Sequence, residues 1–180
     1  AVSRVNQLYR GEEMDRAQRL EGRFINSTMK VTLLGAAVSD QLQDGKVVSG
    51  VGGQYNFVAM AQALDRARSI LMLRSHRGQG DSAVSNIVWE YPHTTIPRHL
   101  RDIVITESGI ADLRSQSDAE CIKRMLNISD SRFQEELLQT AKKNGKVESN
   151  YQIPEVFKNN LPERLEKIYQ QARKQDLLPD

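Results

Sequence analysis

The sequence predicts an α/β fold: an open, mainly parallel sheet flanked by helices, with a helical C-terminal third. Short apolar runs rich in β-branched residues recur through the first two thirds, as at Lys30–Leu34 and Ile103–Thr106. A stretch with helical spacing separates neighbouring runs, and such crossovers make strands parallel. Beyond about residue 118 the strand-like runs give way to capped, amphipathic stretches.

Taken in order, residues 12–21 are polar and fit a short helix or a loop. Phe24–Ser27 and Lys30–Leu34 read as strands, the second ended by Gly35. Asp44-Gly45 signals a turn, and Lys46–Ser49 reads as a further strand entering the run Gly50-Val51-Gly52-Gly53. From Tyr55 to Arg66, the residues Phe57, Val58, Met60, Ala61 and Leu64 form an apolar helical face. Ser69–Leu73 reads as a buried strand, Arg77–Ser82 as a turn and Ser85–Tyr91 as the strand returning from it, so a hairpin is expected. Pro92 to Leu100 is irregular, and Ile103–Thr106 is a buried strand ending at Glu107. Asp118 can cap a helix to about Asn127 with Ile122, Met125 and Leu126 inward. Ser129 or Asp130 can cap another, from Arg132 to Asn144, closed by Gly145. Tyr151–Asn160 reads as a turn or linker, and Pro162 opens a last helix with an apolar stripe of Leu165, Ile168 and Tyr169.

The 180 residues suffice for one domain with a sizeable core. The net charge of +2, from 25 basic and 23 acidic residues, gives no field for non-specific binding to nucleic acid or to an anionic membrane. The apolar runs are too short to span a membrane, and without a charged segment followed by an apolar stretch at the start no signal peptide is expected. The single cysteine, Cys121, reads as a buried, inert thiol, which fits a cytoplasmic location. Three histidines, His76, His93 and His99, lack metal-ligand spacing, so no metal is expected. The start at Ala1 reads like the middle of a longer polypeptide.

Chemistry concentrates in a few places. A glycine-rich turn can bring backbone N–H groups close to an anion or a developing oxyanion. A tight strand-to-helix turn without a ligand is the plain alternative. A dinucleotide site is disfavoured, because the later glycine of G-x-G-x-x-G is missing and no acidic residue ends the next strand. Glu107 ends a buried strand just before Gly109, where α/β folds place functional groups; an exposed strand-end carboxylate is the alternative. Asp112 and Arg114 read as an ion pair or cap. His93 and Thr94 precede the Glu107 strand and could line a pocket mouth, although a lone loop histidine is often incidental. Trp89 and Tyr91 read as core or interface.

Three blocks together resemble a known family: Gly50–Phe57 (GVGGQYNF), His93–Pro97 (HTTIP) and Val104–Arg114 (VITESGIADLR). They are similar to the C-terminal domain of the acetyl-CoA hydrolase/transferase family, which includes 4-hydroxybutyrate, succinyl and acetate CoA-transferases. The resemblance covers about residues 23–160, with 1–22 continuing from an upstream domain and 161–180 a C-terminal helix. It implies a two-domain enzyme with its site between the domains. A glutamate carboxylate attacks an acyl-CoA thioester, a mixed anhydride forms and then an enzyme–CoA thioester, and a second carboxylic acid or water completes the turn. That glutamate lies upstream in the family, and no segment here matches its surroundings, so the chain alone is expected to be inactive.

The resemblance makes Gly53 an oxyanion donor with Gly52 shaping the turn, and Glu107 the group that positions the carboxylic substrate. An upstream asparagine should partner Glu107; Asn6 is the nearest candidate and Asn26, within a strand, a poorer one. Gln54, Asn56, His93 and Thr94 become substrate-binding candidates. Arg74, His76 and Arg77 read as a solvated turn, with contact to the CoA phosphates as the alternative. Acyl-CoA, coenzyme A and a small carboxylate are implied as substrates, with no permanently bound cofactor. The upstream domain is the implied partner, and a homo-oligomer is open. Asn56 replaces the usual aspartate, Ser108 a larger residue and Ser115 a glycine, which bears on acyl specificity. An acetyl-CoA hydrolase domain and a non-catalytic module that binds CoA esters remain alternatives.

Overall fold

A computed structural model describes residues 21–177. Strands β1 (Arg23–Ser27), β2 (Lys30–Thr32) and β3 (Ala37–Val38) precede helix α1 (Gln54–Ala63). Then follow β4 (Arg68–Met72), β5 (His76–Arg77), β6 (Val84–Ser85), β7 (Ile87–Val88), β8 (Ile103–Thr106) and β9 (Gly109–Asp112). Helices α2 (Asp118–Asn127), α3 (Ser131–Lys143) and α4 (Pro162–Lys174) complete the described chain. The main sheet has the order β1-β4-β8-β9, with β1, β4 and β8 parallel and β9 antiparallel to β8. A second sheet, β3-β2-β7, joins β2 and β7 in parallel. The expected α/β class with a mainly parallel sheet is what forms.

Three local expectations need correction. Lys46–Ser49 is not a strand: only Val47 bridges Gln41, and Val48 N–H bonds to Asp40 O rather than to a sheet. Residues 69–73 and 85–91 do not pair; β4 and β7 belong to different sheets, and only β5 and β6 form a short hairpin. Each apolar run finds a distant parallel partner that buries it better, Ile87 against Val31 and Leu71 against Val104. Gly109–Asp112 is a strand that periodicity did not reveal, because its four residues alternate only weakly and Ile110 faces outward.

Two glycines are conformationally required. Gly35 (φ +88) turns the chain after β2, and a Cβ there would lie 2.8 Å from Arg101 Cβ. Gly52 (φ +60) makes the left-handed step before α1.

The core lies on one face of the main sheet, where Leu71, Val104 and Ala111 meet Cys121, Ile122, Met125 and Leu126 of α2. Phe24, Phe57, Met60, Leu64 and Ala67 pack α1 against the same sheet near β1. The opposite face carries Ile25, Ile70 and Ile103 in one row and Met72, Ile105 and Ile110 in the next. Ile25 is 57% and Ile110 68% exposed, an unusual state for a sheet of this type. The stripe on α4 is also present but uncovered, with Ile168 and Tyr169 exposed.

Helix α2 is capped by Ser117, not Asp118: Ser117 Oγ accepts from Glu120 N–H at 3.2 Å, while Asp118 is engaged by Arg98 and Arg101. Ser117→Ala is expected to cost about 1 kcal/mol and lower the melting temperature by about 2–4 °C. An unchanged melting curve would show that the cap contributes nothing. Asp130 caps α3, and Gly145 (φ +63) ends it, as the sequence indicates. No helix of the described residues is long and apolar enough to cross a membrane.

Candidate functional site

The crossover from β1 through α1 to β4 fixes where the glycine turn lies. β1 and β4 are parallel, so α1 runs back between them and its N-terminus returns to the carboxyl edge of the sheet. Gln54 Nε2 pins it there by donating to Ser27 O, at the end of β1, at 2.9 Å. The first N–H groups of α1 have no intrahelical acceptor. The N-cap, Gly53, has no side chain to cap them, and no acidic residue occupies the first turn. The positive end of the helix dipole thus meets no carboxylate from its own first turn. Gly50, Val51 and Gly52 are exposed, and nothing lies within 4 Å of where a Cβ on Gly50 or Gly52 would stand. Gln54 Oε1 and Asn26 Nδ2, both close to this turn in the chain fold, are buried without a hydrogen-bond partner among the described residues. Orphaned buried groups call for a partner from outside the described chain.

Glu107 follows β8 directly, so it lies at the same carboxyl edge, with the end of β4 between it and the glycine turn. Two strand spacings, about 10 Å, separate β1 from β8. Ser75, just past β4, holds the carboxylate: its N–H donates to Glu107 Oε2 at 2.8 Å and its hydroxyl to Oε1 at 2.6 Å. His76 Nδ1 lies 3.7 Å from Glu107 Oε1 and 3.1 Å from Asp130 Oδ2. Asp130 is 1% exposed at its side chain. Burial opposes its charged form, but bonds from Arg132 and the charge of His76 hold its carboxyl below the usual aspartate value.

Beside Glu107 opens a cleft of about 480 Å³, lined by Lys30, Arg74, His76, Arg77, Asn86 and Tyr91 among others. Three of its residues are cations other than histidine, and no carboxylate lines it among the described residues. Burial, then the neighbouring Arg77, pushes the Lys30 ammonium below its usual pKa. Asn86 Nδ2 ties the loop to Arg74 O at 3.0 Å. Such a concavity suits an anionic ligand.

The remaining candidates fall as follows. Asn56 lies in the first turn of α1, partly buried. His93 stands edge-on to Tyr91 at 6.4 Å between ring centroids, and Thr94 is exposed; neither lines the cleft. Asn6 lies outside the described residues, as does the segment up to residue 20. Asp112 and Arg114 sit at the opposite, amino edge of the sheet in an ion network with Arg68 and Asp102. Trp89 packs against the core. Cys121 is buried, and burial pushes its thiol pKa up. The sequence did not mark Ser75, Lys30 or Asp130 as site residues, because serines, lysines and helix caps are common and only tertiary pairing brings these to Glu107 and the cleft.

A family model described as the acetyl-CoA hydrolase/transferase C-terminal domain matches residues 1–141. The 4-hydroxybutyrate coenzyme A transferase of Clostridium kluyveri is 31% identical over 120 residues, covering 66% of this chain and 28% of that protein. A probable butyrate:acetyl-CoA coenzyme A-transferase of Syntrophomonas wolfei is 30% identical over 122 residues, covering 66% of this chain and 27% of its own length. The crystal structure of RipA from Yersinia pestis superposes with a TM-score of 0.62 at 33% identity, covering 69% of this chain and 28% of RipA. The chain thus spans between a quarter and a third of the length of these relatives.

Proposed function

Because this chain belongs to the acetyl-CoA hydrolase/transferase C-terminal domain family, we propose that it is the C-terminal domain of a CoA-transferase that moves CoA between an acyl-CoA and a small carboxylic acid of the 4-hydroxybutyrate or acetate type. The observation that carries the reading is the placement of the Gly52-Gly53 turn and Glu107 at one sheet edge, flanking the end of β4. The relatives from Clostridium kluyveri and Syntrophomonas wolfei carry CoA-transferase names, which supports the substrate class.

In this reading an upstream glutamate carboxylate attacks the thioester carbonyl. The oxygen gains negative charge, and backbone N–H of Gly53 at the head of α1 receives it. CoA thiolate leaves, giving a mixed anhydride, and then attacks the glutamyl carbonyl. The first acid departs as a carboxylate, leaving a glutamyl-CoA thioester. An incoming carboxylate, positioned by Glu107, reverses these steps. Lys30, Arg74 and Arg77 meet the phosphates of CoA in the cleft. The apolar face formed by Ile25, Ile70, Met72, Ile105 and Ile110, on which Ile25, Met72 and Ile110 are exposed, supports packing against the upstream part of the same polypeptide. A free buried thiol suits the reducing cytoplasm, where we place the enzyme.

The test is turnover. The full-length parent enzyme is expected to transfer CoA from acetyl-CoA to members of a panel of small carboxylates, and the 180-residue chain alone to give none. Hydrolysis of acetyl-CoA without dependence on any carboxylate would make the parent a hydrolase instead. Tight CoA-ester binding with neither reaction would make the domain a binding module.

A further inference from the structure

We propose that His76 is a positioning residue for the carboxylate-binding site: with Asp130 behind it, its imidazole stands against Glu107 and lets that carboxylate accept a second carboxylate beside it. The proposal rests on the reading of Glu107 as the group that positions the acid substrate.

Two carboxylates placed side by side repel, and in a partly buried site one of them must be neutralised or offset by a cation or a proton donor. Glu107 already takes two hydrogen bonds from Ser75, both neutral donors. They orient the carboxylate but do not cancel its charge. Among the described residues, His76 is the titratable donor recorded within 4 Å of it, with Nδ1 3.7 Å from Oε1. The same nitrogen lies 3.1 Å from Asp130 Oδ2, yet it makes no hydrogen bond of good geometry and is buried. It sits between two acidic oxygens, from the β8–β9 turn and from the cap of α3, without being consumed by either.

Asp130 is a suitable backstop. Its side chain is 1% exposed, and Arg132 binds it through Nε at 3.0 Å and Nη2 at 2.6 Å. Bound by Arg132, this aspartate sets a second acidic oxygen behind the imidazole, 3.1 Å from Nδ1. The other charges around this loop are Arg74, Arg77 and Lys30, all in the cleft. His76 also lines that cleft, so it is the residue through which the cationic cleft and Glu107 meet.

The test is a double-mutant cycle in the full-length parent enzyme with acetyl-CoA and a carboxylate acceptor. His76→Ala is expected to raise KM for the carboxylate about tenfold while KM for acetyl-CoA stays within about twofold. In a Glu107→Gln background, which has no charge to offset, the same substitution should change KM for the carboxylate by less than about twofold. His76→Lys, which places a cation there, should recover part of the loss that His76→Gln does not. Equal effects of His76→Ala in both backgrounds, or a matching rise in KM for acetyl-CoA, would overturn the proposal, since both are signs of a general packing defect. If the unsubstituted parent shows no transfer, the functional reading fails by itself. The pairing of His76 with Glu107 is then judged from urea midpoints of the four variants of this chain: non-additive shifts support it and additive shifts refute it.

Discussion

Replacing Gly53 with proline in the full-length enzyme is expected to lower kcat for acyl transfer by about 10²–10³-fold, the loss typical of removing one oxyanion donor. Gly53 is the N-cap of α1, at φ −95° and ψ 2°, and its carbonyl receives the first helical bond, from Phe57 N–H at 3.1 Å. Proline holds φ at about −65°, so the turn must shift by about 30°, but proline is tolerated at the start of a helix and α1 should still form. What disappears is the N–H, and the ring fills the space in front of it. Gly53→Ala keeps the donor and should lose less than the proline variant. Melting temperatures within a few degrees of the parent would confirm that the fold persists. A proline variant with undiminished kcat would remove the glycine turn from the chemistry and leave it as a strand-to-helix connection.

Asp102→Ala is expected to be the most destabilising single substitution at the amino edge of the sheet, costing about 3–5 kcal/mol. The Asp102 side chain is 1% exposed. Its Oδ1 accepts from Arg68 Nε at 2.8 Å, and its Oδ2 accepts from Ser69 N–H at 2.6 Å and from Arg114 Nη2 at 2.5 Å. Truncation takes the buried carboxylate from two guanidinium groups and leaves the Ser69 N–H between β4 and β8 without its acceptor. Asp112 shares Arg68, but its side chain is 47% exposed, and Asp112→Ala should cost only about 1 kcal/mol or less. Urea unfolding of the two variants measures the contrast. A loss below about 1 kcal/mol at Asp102 would show that water or the remaining carboxylate replaces it. Since this network lies at the edge opposite Glu107, the substitution tests the frame of the sheet independently of the proposed chemistry.

Much of the secondary structure was legible because it is local. Ile103–Thr106 is short, apolar and β-branched, and it is a strand wherever it pairs. The caps at Asp130 and Gly145 announce α3 by residue type, and the spacing of Ile122, Met125 and Leu126 fixes the buried face of α2. Pairing is not local. Ser69–Leu73 and Ser85–Tyr91 look like hairpin partners, since they flank a turn, yet β4 sits between β1 and β8 and β7 beside β2. The apolar stripe on α4 reads as a core face but stays exposed in the described chain. Periodicity states that a face is apolar, not what covers it.

The candidate site divides in the same way. Gly52 and Glu107 were visible in the sequence because a left-handed turn demands glycine and because a carboxylate ending a buried strand is conspicuous, and Gly53 was singled out by the family resemblance. The family was legible too, from three separated blocks of residues, and the family model matches residues 1–141. Ser75, His76 and Asp130 could not be assembled around Glu107 from the sequence, since Ser75 and His76 follow β4 while Asp130 caps α3 far along the chain, and none carries a distinguishing motif. The sequence by itself determined the α/β class, the glycine turn and the strand-end carboxylate, all of which follow from backbone sterics and the burial pattern of short segments. Only the tertiary structure decided that turn and carboxylate share one sheet edge, that a cationic cleft opens beside them, and that an imidazole is held between two acids. Those facts depend on the parallel order β1-β4-β8, and strand order is set by the burial gained across the whole chain rather than within any one segment.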